Sequence, residues 1–361
     1  MLLRLMSSDA SQFYSRTRAA RKIIVVDLGF LGDTVHLVPA LWELKSGYPQ
    51  AKLHVLTSTV GAEVLRLAPC VDRAWALDMY RETRTLRQQW QVLRALRRER
   101  FDVALTFSAS DRNLLTTALT GARWRAAQPW GRRHFYSHWL VPYWAPPQDP
   151  SRTVYEQRRQ MLADCGLPLG PPRFDLEIDP VSRGWAAPHV PDFAMHLSVN
   201  ASKPTKEWPL EHYAVLLPLV WAEQPKLQVL ASGTAKPAER ARLQALATAV
   251  KDERLRILPE SLSIPQLAAV LERCRLHVGP DSGVLHLAMA VGVPTISFFR
   301  EQPNYTAFLP VGPKHKVISM PCSCVDGREA PCERTGRAEC FAKIEPARVA
   351  ALVGEQLQEW K

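Results

Sequence analysis

Short apolar runs alternate with stretches whose apolar residues recur at helical spacing, and the alternation repeats along two halves of the chain. In the first half, Lys22 to Asp27, Leu53 to Leu56, Ala74 to Leu77 and Phe101 to Phe107 read as strands. Helices are predicted between them from Asp33 to about Lys45, near Gly61 to Leu67 and near Thr85 to Arg98. In the second half the strands are Ala194 to Val199, Leu227 to Ser232, Leu255 to Leu258 and Leu276 to Gly279, with another after Pro294. The intervening helices are one that Pro209 can start and Pro218 should kink or end, then Ala238 to Val250, Pro265 to Arg273 and Val284 to Val291. Strands separated by helices pair in parallel, so the expected fold class is α/β with two Rossmann-like doubly wound domains. Six prolines between Gly166 and Pro191, with one extended piece from Arg173 to Ile178, mark a linker. The expected organisation is a loosely held tail over 1–20, a first domain over 21–165, the linker 166–191, a second domain over 192–345 and a C-terminal helix over 346–361.

A length of 361 residues suits two hydrophobic cores, and 47% hydrophobic with 22% charged residues fits a soluble globular chain. No apolar run approaches the roughly 20 residues that span a bilayer, and the opening MLLRLM is too short for a signal-peptide core, so a cytoplasmic protein is expected. A formal charge of +11 implies a polyanionic partner, whether nucleic acid, an anionic membrane surface or a phosphorylated glycolipid. Residues 121–144 interleave four Trp and three Phe or Tyr with four Arg. That mixture suits a membrane interface, a sugar and phosphate surface or single-stranded nucleic acid, and equally a core with a basic rim.

The candidate chemistry is concentrated in two turns. After Leu276 to Gly279, the turn Pro280-Asp281-Ser282-Gly283 opens a small-residue helix that ends at Gly292, and a helix start without a bulky side chain can receive an anion. His286, one turn further in, lies on the same face; it can reach a phosphate or simply be a capped, satisfied imidazole. After Lys22 to Asp27, the loop Gly29 to Gly32 followed by Asp33 has G-x-x-G-D where a dinucleotide fingerprint needs G-x-G-x-x-G, which argues against a nicotinamide enzyme. Asp33 at a helix start is either a capping carboxylate or a catalytic one.

The string D-S-G-x-x-H-x-A-x-A-x-G-x-P-T-I, with the G-D-x-x-x-x-x-P element around Asp33 and the loop ending Lys206-Glu207-Trp208-Pro209, resembles glycosyltransferase family 9, the heptosyltransferases of lipopolysaccharide core synthesis. The resemblance extends from residue 22 to about 350. It implies the GT-B architecture, two Rossmann-like domains facing a cleft, and an inverting, metal-independent transfer of heptose from ADP-heptose to the inner core of lipopolysaccharide. By the same resemblance Asp33 is the catalytic base. The donor is held by Ser202, Thr205, Lys206, Trp208, Asp281, Ser282, Gly283 and His286, with Lys206 neutralising its phosphates. The partners it implies are the nucleotide sugar, the core glycolipid and the anionic inner membrane surface at its cytoplasmic face, not nucleic acid, and no cofactor is needed. A nucleotide-sugar epimerase on the same two-domain fold would share the donor motif, and a nucleic-acid-binding protein would share the charge.

Cysteines fall in two classes. Cys70, Cys165 and Cys274 stand singly and read as core residues. Cys322, Cys324, Cys332 and Cys340 are spaced C-x-C-x7-C-x7-C, which invites a structural zinc or iron ion in a reducing compartment, although the spacing is no standard knuckle. Some members of the resembled family also carry a cysteine-rich segment before the last helix.

Overall fold

A computed structural model describes residues 8–78, 85–129, 137–259, 262–324 and 331–359. Two compact units divide between Glu177 and Ile178. The first contains β1 (Ser8–Asp9), α1 (Phe13–Thr17), β2 (Lys22–Val26), α2 (Leu31–Gly47), β3 (Lys52–Ser58), α3 (Thr59–Leu65) and β4 (Arg73–Leu77). It continues with α4 (Leu86–Arg98), β5 (Val103–Thr106), α5 (Asp111–Leu119), β6 (Trp124–Ala127), α6 (Ser137–Leu140), β7 (Tyr143–Trp144) and α7 (Val154–Asp164). Its seven strands form a parallel sheet in the order β1-β7-β6-β5-β2-β3-β4. Ile23, Ile24, Val25 and Val26 of β2 are all buried. Helices on both faces leave neither side of a central strand wet, which is why the run is continuously apolar rather than alternating.

The segment 1–20 is not a loose tail in its described part. β1 pairs with β7 at the sheet edge, and Phe13 of α1, buried, meets the Tyr143 ring edge-on at 5.1 Å. An isolated two-residue strand carries no periodicity, so its pairing is visible only once β7 is in place. In the described part of the aromatic run Tyr143 and Trp144 are buried, and Arg125 donates to the Leu140 and Ala122 carbonyls, both at 2.7 Å. Trp139, on α6, is 70% exposed. Trp130, Arg132, Arg133, Phe135 and Tyr136 lie outside the described residues.

The second unit holds α8 (Pro180–Ala186), β8 (Ala194–Ser198), α9 (Leu210–Glu223), β9 (Gln228–Ser232), α10 (Pro237–Val250), β10 (Leu255–Ile257) and α11 (Ile264–Arg273). It ends with β11 (Leu276–Pro280), α12 (Gly283–Ala290), β12 (Thr295–Glu301), β13 (His315–Pro321), α13 (Pro331–Thr335) and α14 (Pro346–Glu359). The parallel sheet runs β10-β9-β8-β11-β12-β13. Chain order therefore reverses between β8 and β11, and their carboxyl ends flank a topological switch point. The expected linker is divided: its end belongs to this unit, where Asp179 caps α8 by accepting from the Ser182 amide at 2.8 Å and the helix packs on α11. Pro218 does not end its helix either. α9 runs through it, and packing against α14 offsets the hydrogen bond that proline cannot donate.

Two histidines sit inside this sheet. His196 of β8 and His277 of β11 are fully buried neighbours in register, their Nδ1 atoms 2.9 Å apart, and His196 Nε2 contacts Ser232 Oγ at 2.8 Å. One Nδ1 must donate and the other accept, so the accepting ring is neutral, and full burial disfavours a charge on the donating ring as well. Burial pushes His196 down to about 3, and burial, with the His196 and His286 rings close by opposing a further positive charge, holds His277 well below the ordinary range. The unfolded chain therefore binds more protons than the folded one below about pH 6.5. Stability is full above that pH and is lost as the pH falls through it, by about 1.4 kcal/mol per pH unit for each histidine. Urea midpoints should drop steadily from pH 7 to pH 5, and a flat profile would show that the pair is charged or solvated in the native state.

Candidate functional site

At the switch point of the second sheet, the loop after β8 and the turn after β11 come together. Lys206 Nζ lies 2.5 Å from Asp281 Oδ2, and His286 Nε2 lies 3.6 Å from Asp281 Oδ1. Burial pushes the Asp281 carboxyl up, but the hydrogen bond from His286 and the charge of Lys206 outweigh it and hold the group below its ordinary value. Asp281 is thus a fixed anion between two cation-capable groups. Ser282 is the N-cap of α12 in extended geometry, φ −144° and ψ 164°, yet its hydroxyl caps nothing. Its Oγ is buried with no hydrogen-bond partner. A buried hydroxyl beside the first-turn amides of a helix is an arrangement that can receive an anion. Gly279 allows the close approach beneath it, since a Cβ there would stand 2.9 Å from both Ser198 Cβ and the Ser198 carbonyl.

The loop that carries Lys206 is held from below. Ser202 is exposed and Thr205 half-buried, in and just before a 3-10 turn over Pro204–Lys206. Trp208, expected as a donor contact, is instead wholly buried: its ring packs on Tyr213 at 4.7 Å and Phe298 at 4.9 Å, and Nε1 donates to the Ile344 carbonyl at 3.2 Å. An indole at that position anchors the loop and offers no face to a ligand. Arg242 of α10 clamps the same loop, donating to the Val199 carbonyl at 3.0 Å and the Trp208 carbonyl at 2.5 Å. Glu207 accepts from the Ala201 amide at 3.1 Å.

Two further residues at this sheet edge escaped the sequence reading. Asn200, just past β8, has both amide atoms buried without partners, and Arg300, near the end of β12, has Nε and one terminal nitrogen in the same state. β8, β11 and β12 are successive strands of the sheet, so these groups fall on the edge that carries Ser282. Each is a polar residue at the end of an apolar run, a pattern too common to single out before burial is known.

In the first unit, the loop after β2 brings two carboxylates together. Asp27 is buried, its Oδ1 accepts from the Gly29 amide at 3.2 Å, and its Oδ2 lies 2.9 Å from the Arg158 guanidinium of α7. Arg158 also donates to the Asp33 carbonyl. Burial pushes the Asp27 carboxyl up; Arg158 opposes that and the nearby Asp33 charge adds to it. Asp33 is the third residue of α2, not its N-cap: the helix begins at Leu31, and Asp33 Oδ2 accepts from the Phe30 amide at 3.0 Å. Gly29 makes room for this, because a Cβ there would fall 2.5 Å from Asp33 Cβ. Phe30 itself is 80% exposed at the tip.

Cys70, Cys165 and Cys274 are buried singly, while Cys322, Cys332 and Cys340 converge with their sulfurs within 4.8 Å of one another. No helix among the described residues is long and apolar enough to cross a membrane.

Comparison with known proteins gives the family and the fold. Residues 89–336 match the description of glycosyltransferase family 9 (heptosyltransferase). Lipopolysaccharide heptosyltransferase 1 of Pseudomonas aeruginosa is 26% identical over 358 residues, covering 91% of this chain and 96% of that protein. The fold is shared with the glycosyl transferase family 9 protein of Veillonella parvula, at a TM-score of 0.80 and 17% identity over 94% of this chain and 98% of that one. It is also shared with E. coli heptosyltransferase WaaC in complex with ADP-2-deoxy-2-fluoro heptose, at a TM-score of 0.71 and 17% identity over 92% of this chain and 99% of the other. The two doubly wound units are those of the GT-B fold.

Proposed function

The chain belongs to glycosyltransferase family 9, the heptosyltransferases, and from that membership we propose that it transfers heptose from ADP-heptose to the inner core of lipopolysaccharide, with inversion and without a divalent metal ion. The observation that carries the donor half is the unpartnered Ser282 hydroxyl beside the first turn of α12, with Lys206 across Asp281. Lys206 has three donors, so it can keep Asp281 and still meet a phosphate oxygen. The cation and the helix amides then clamp the diphosphate, the role a metal ion fills elsewhere. Ser202, Thr205, Gly283 and His286 line the same reading, while Trp208 positions the loop.

In the transfer step the acceptor oxygen forms the new bond to the anomeric carbon from the face opposite the diphosphate. Its proton passes to Asp33, and the pair of the breaking carbon–oxygen bond leaves on ADP. For the acceptor's lipid, α4 and α6 present Trp90 and Trp139, 67% and 70% exposed, and α5 touches both helices. Arg87, Arg94, Arg97 and Arg98 on α4 supply the charge for an anionic headgroup layer. This supports a peripheral position at the cytoplasmic face of the inner membrane.

The test is a transfer assay with ADP-heptose and truncated core glycolipids, presented in neutral and in anionic vesicles and read by mass spectrometry. Heptosylated product, formed faster in anionic vesicles, is expected. Consumption of the donor without an acceptor would favour an epimerase, and equal rates in both vesicles would remove the membrane surface from the reading. Lys206→Ala leaves one phosphate charge uncompensated, which costs on the order of 1.5–3 kcal/mol for a charge-assisted contact. Calorimetric titration should show ADP binding at least about tenfold weaker; unchanged affinity would take Lys206 out of the site.

A further inference from the structure

The sulfur cluster of the second unit lies apart from Asp281 and Lys206 in sequence but is joined to their loop by a short chain of contacts. Cys322 follows β13, Cys332 lies in α13, and Cys340 precedes a 3-10 turn over Phe341–Lys343. Cys322, Cys332 and Cys340 are each more than nine-tenths buried. The Cys322 and Cys332 sulfurs are 3.8 Å apart. Four thiolates at about 2.3 Å from a tetrahedral ion stand about 3.8 Å from one another. A disulfide would need the pair at about 2.05 Å. Cys324, half-buried, completes the set: its Sγ accepts from the Cys332 amide at 3.3 Å, the kind of contact that orients a metal-bound sulfur.

Buried cysteines are often only small apolar side chains. Two facts distinguish this group. Sulfurs from three separate stretches, those of Cys322, Cys332 and Cys340, lie within 4.8 Å of one another with Cys324 Sγ against the Cys332 amide, and α13, at five residues, is held by its surroundings rather than by its own length. From Cys340 the 3-10 turn leads directly to Ile344, whose carbonyl accepts from Trp208 Nε1 and meets His212 Nδ1, both at 3.2 Å. Trp208 closes the loop that carries Lys206.

We propose that Cys322, Cys324, Cys332 and Cys340 form a structural tetrathiolate site for a zinc-like divalent ion, and that filling this site holds the Lys206 loop in place through the Ile344 carbonyl. The first half of this assignment is independent of the transfer reaction. The second concerns the order of the loop and is read without any substrate.

The full-length protein, purified under reducing conditions without chelator, should carry about one zinc per chain by elemental analysis, with its four clustered thiols slow to alkylate. Cobalt added to the stripped protein should give the ligand-field bands of a tetrahedral thiolate complex. Cys324→Ser, at the half-buried position that best tolerates change, should lower Zn²⁺ affinity by at least about tenfold. Hydrogen exchange of residues 199–208 should quicken when zinc is stripped and slow again when Zn²⁺ is restored. Free, fast-reacting thiols that take up neither Zn²⁺ nor Co²⁺ would overturn the site, as would two thiols lost to a disulfide in the native protein. Metal binding with unaltered exchange in the loop would overturn the coupling.

Discussion

Replacing Arg158 by methionine is expected to cost about 3–5 kcal/mol of stability, because it strands a buried carboxylate. Arg158 and Asp27 have side chains only 7% and 3% exposed, and their ion pair at 2.9 Å ties α7 to the end of β2. Methionine keeps most of the volume and removes the charge, so cavity formation adds little. The pH dependence identifies the cause. In the parent, burial already raises the Asp27 carboxyl and Arg158 holds it down. Without Arg158 it rises further, and a carboxyl raised on folding costs stability above its unfolded value and is relieved as the pH falls. The loss measured by urea unfolding should thus be largest near neutral pH and shrink toward pH 5. Asp27→Asn together with Arg158→Met should cost less than the sum of the single changes. A loss of less than about 1 kcal/mol, or one that does not vary with pH, would mean that the pair is solvated and interchangeable with a surface bridge.

The parts of this fold legible in the sequence are those whose burial is uniform. β2 is covered on both faces, so its apolar run from Ile23 to Val26 is unbroken, and β3, β8 and β11 read as strands although each carries one buried histidine, with glycine or proline marking the turns beside several of them. The turn from Asp281 to Gly283 is legible because it is local, a strand end and a helix start within four residues. What escaped depends on partners distant along the chain. β1 is visible only through β7, and the capped α8 only through its packing on α11. Trp208 illustrates the limit most directly. By family resemblance Trp208, two residues after Lys206, reads as a donor contact, but Phe298, Tyr213 and Ile344 turn it inward. Asp27 stood at the end of an apolar strand without a role, since its meaning comes from an arginine on α7. Local rules make Pro218 kink or end its helix, and α9 runs on through it where it packs against α14.

Asp33→Asn is expected to leave the fold and ADP-heptose binding near normal while reducing turnover by a factor of about 10²–10⁴, the loss typical of a missing general base. Asp33 already has a structural task, since its Oδ2 accepts from the Phe30 amide at 3.0 Å within the first turn of α2. The amide oxygen of asparagine can accept that bond, so the cap survives the substitution and stability should move by less than about 1 kcal/mol. Asparagine cannot take a proton from the acceptor hydroxyl. Two features suit the carboxylate to that task. The Phe30 amide fixes the orientation of the carboxylate, and Asp33 keeps a solvent-facing side while its neighbour Asp27 is neutralised by Arg158. Asp27 is an unsuitable base for the opposite reason, being enclosed and engaged on both oxygens by Gly29 and Arg158. Asp33→Ala supplies the control: it loses both cap and base, so its thermal midpoint should fall while its turnover matches that of Asp33→Asn. Retention of most of the parent turnover in Asp33→Asn would reduce Asp33 to a capping residue and move the search for the base to other groups around the exposed tip at Phe30.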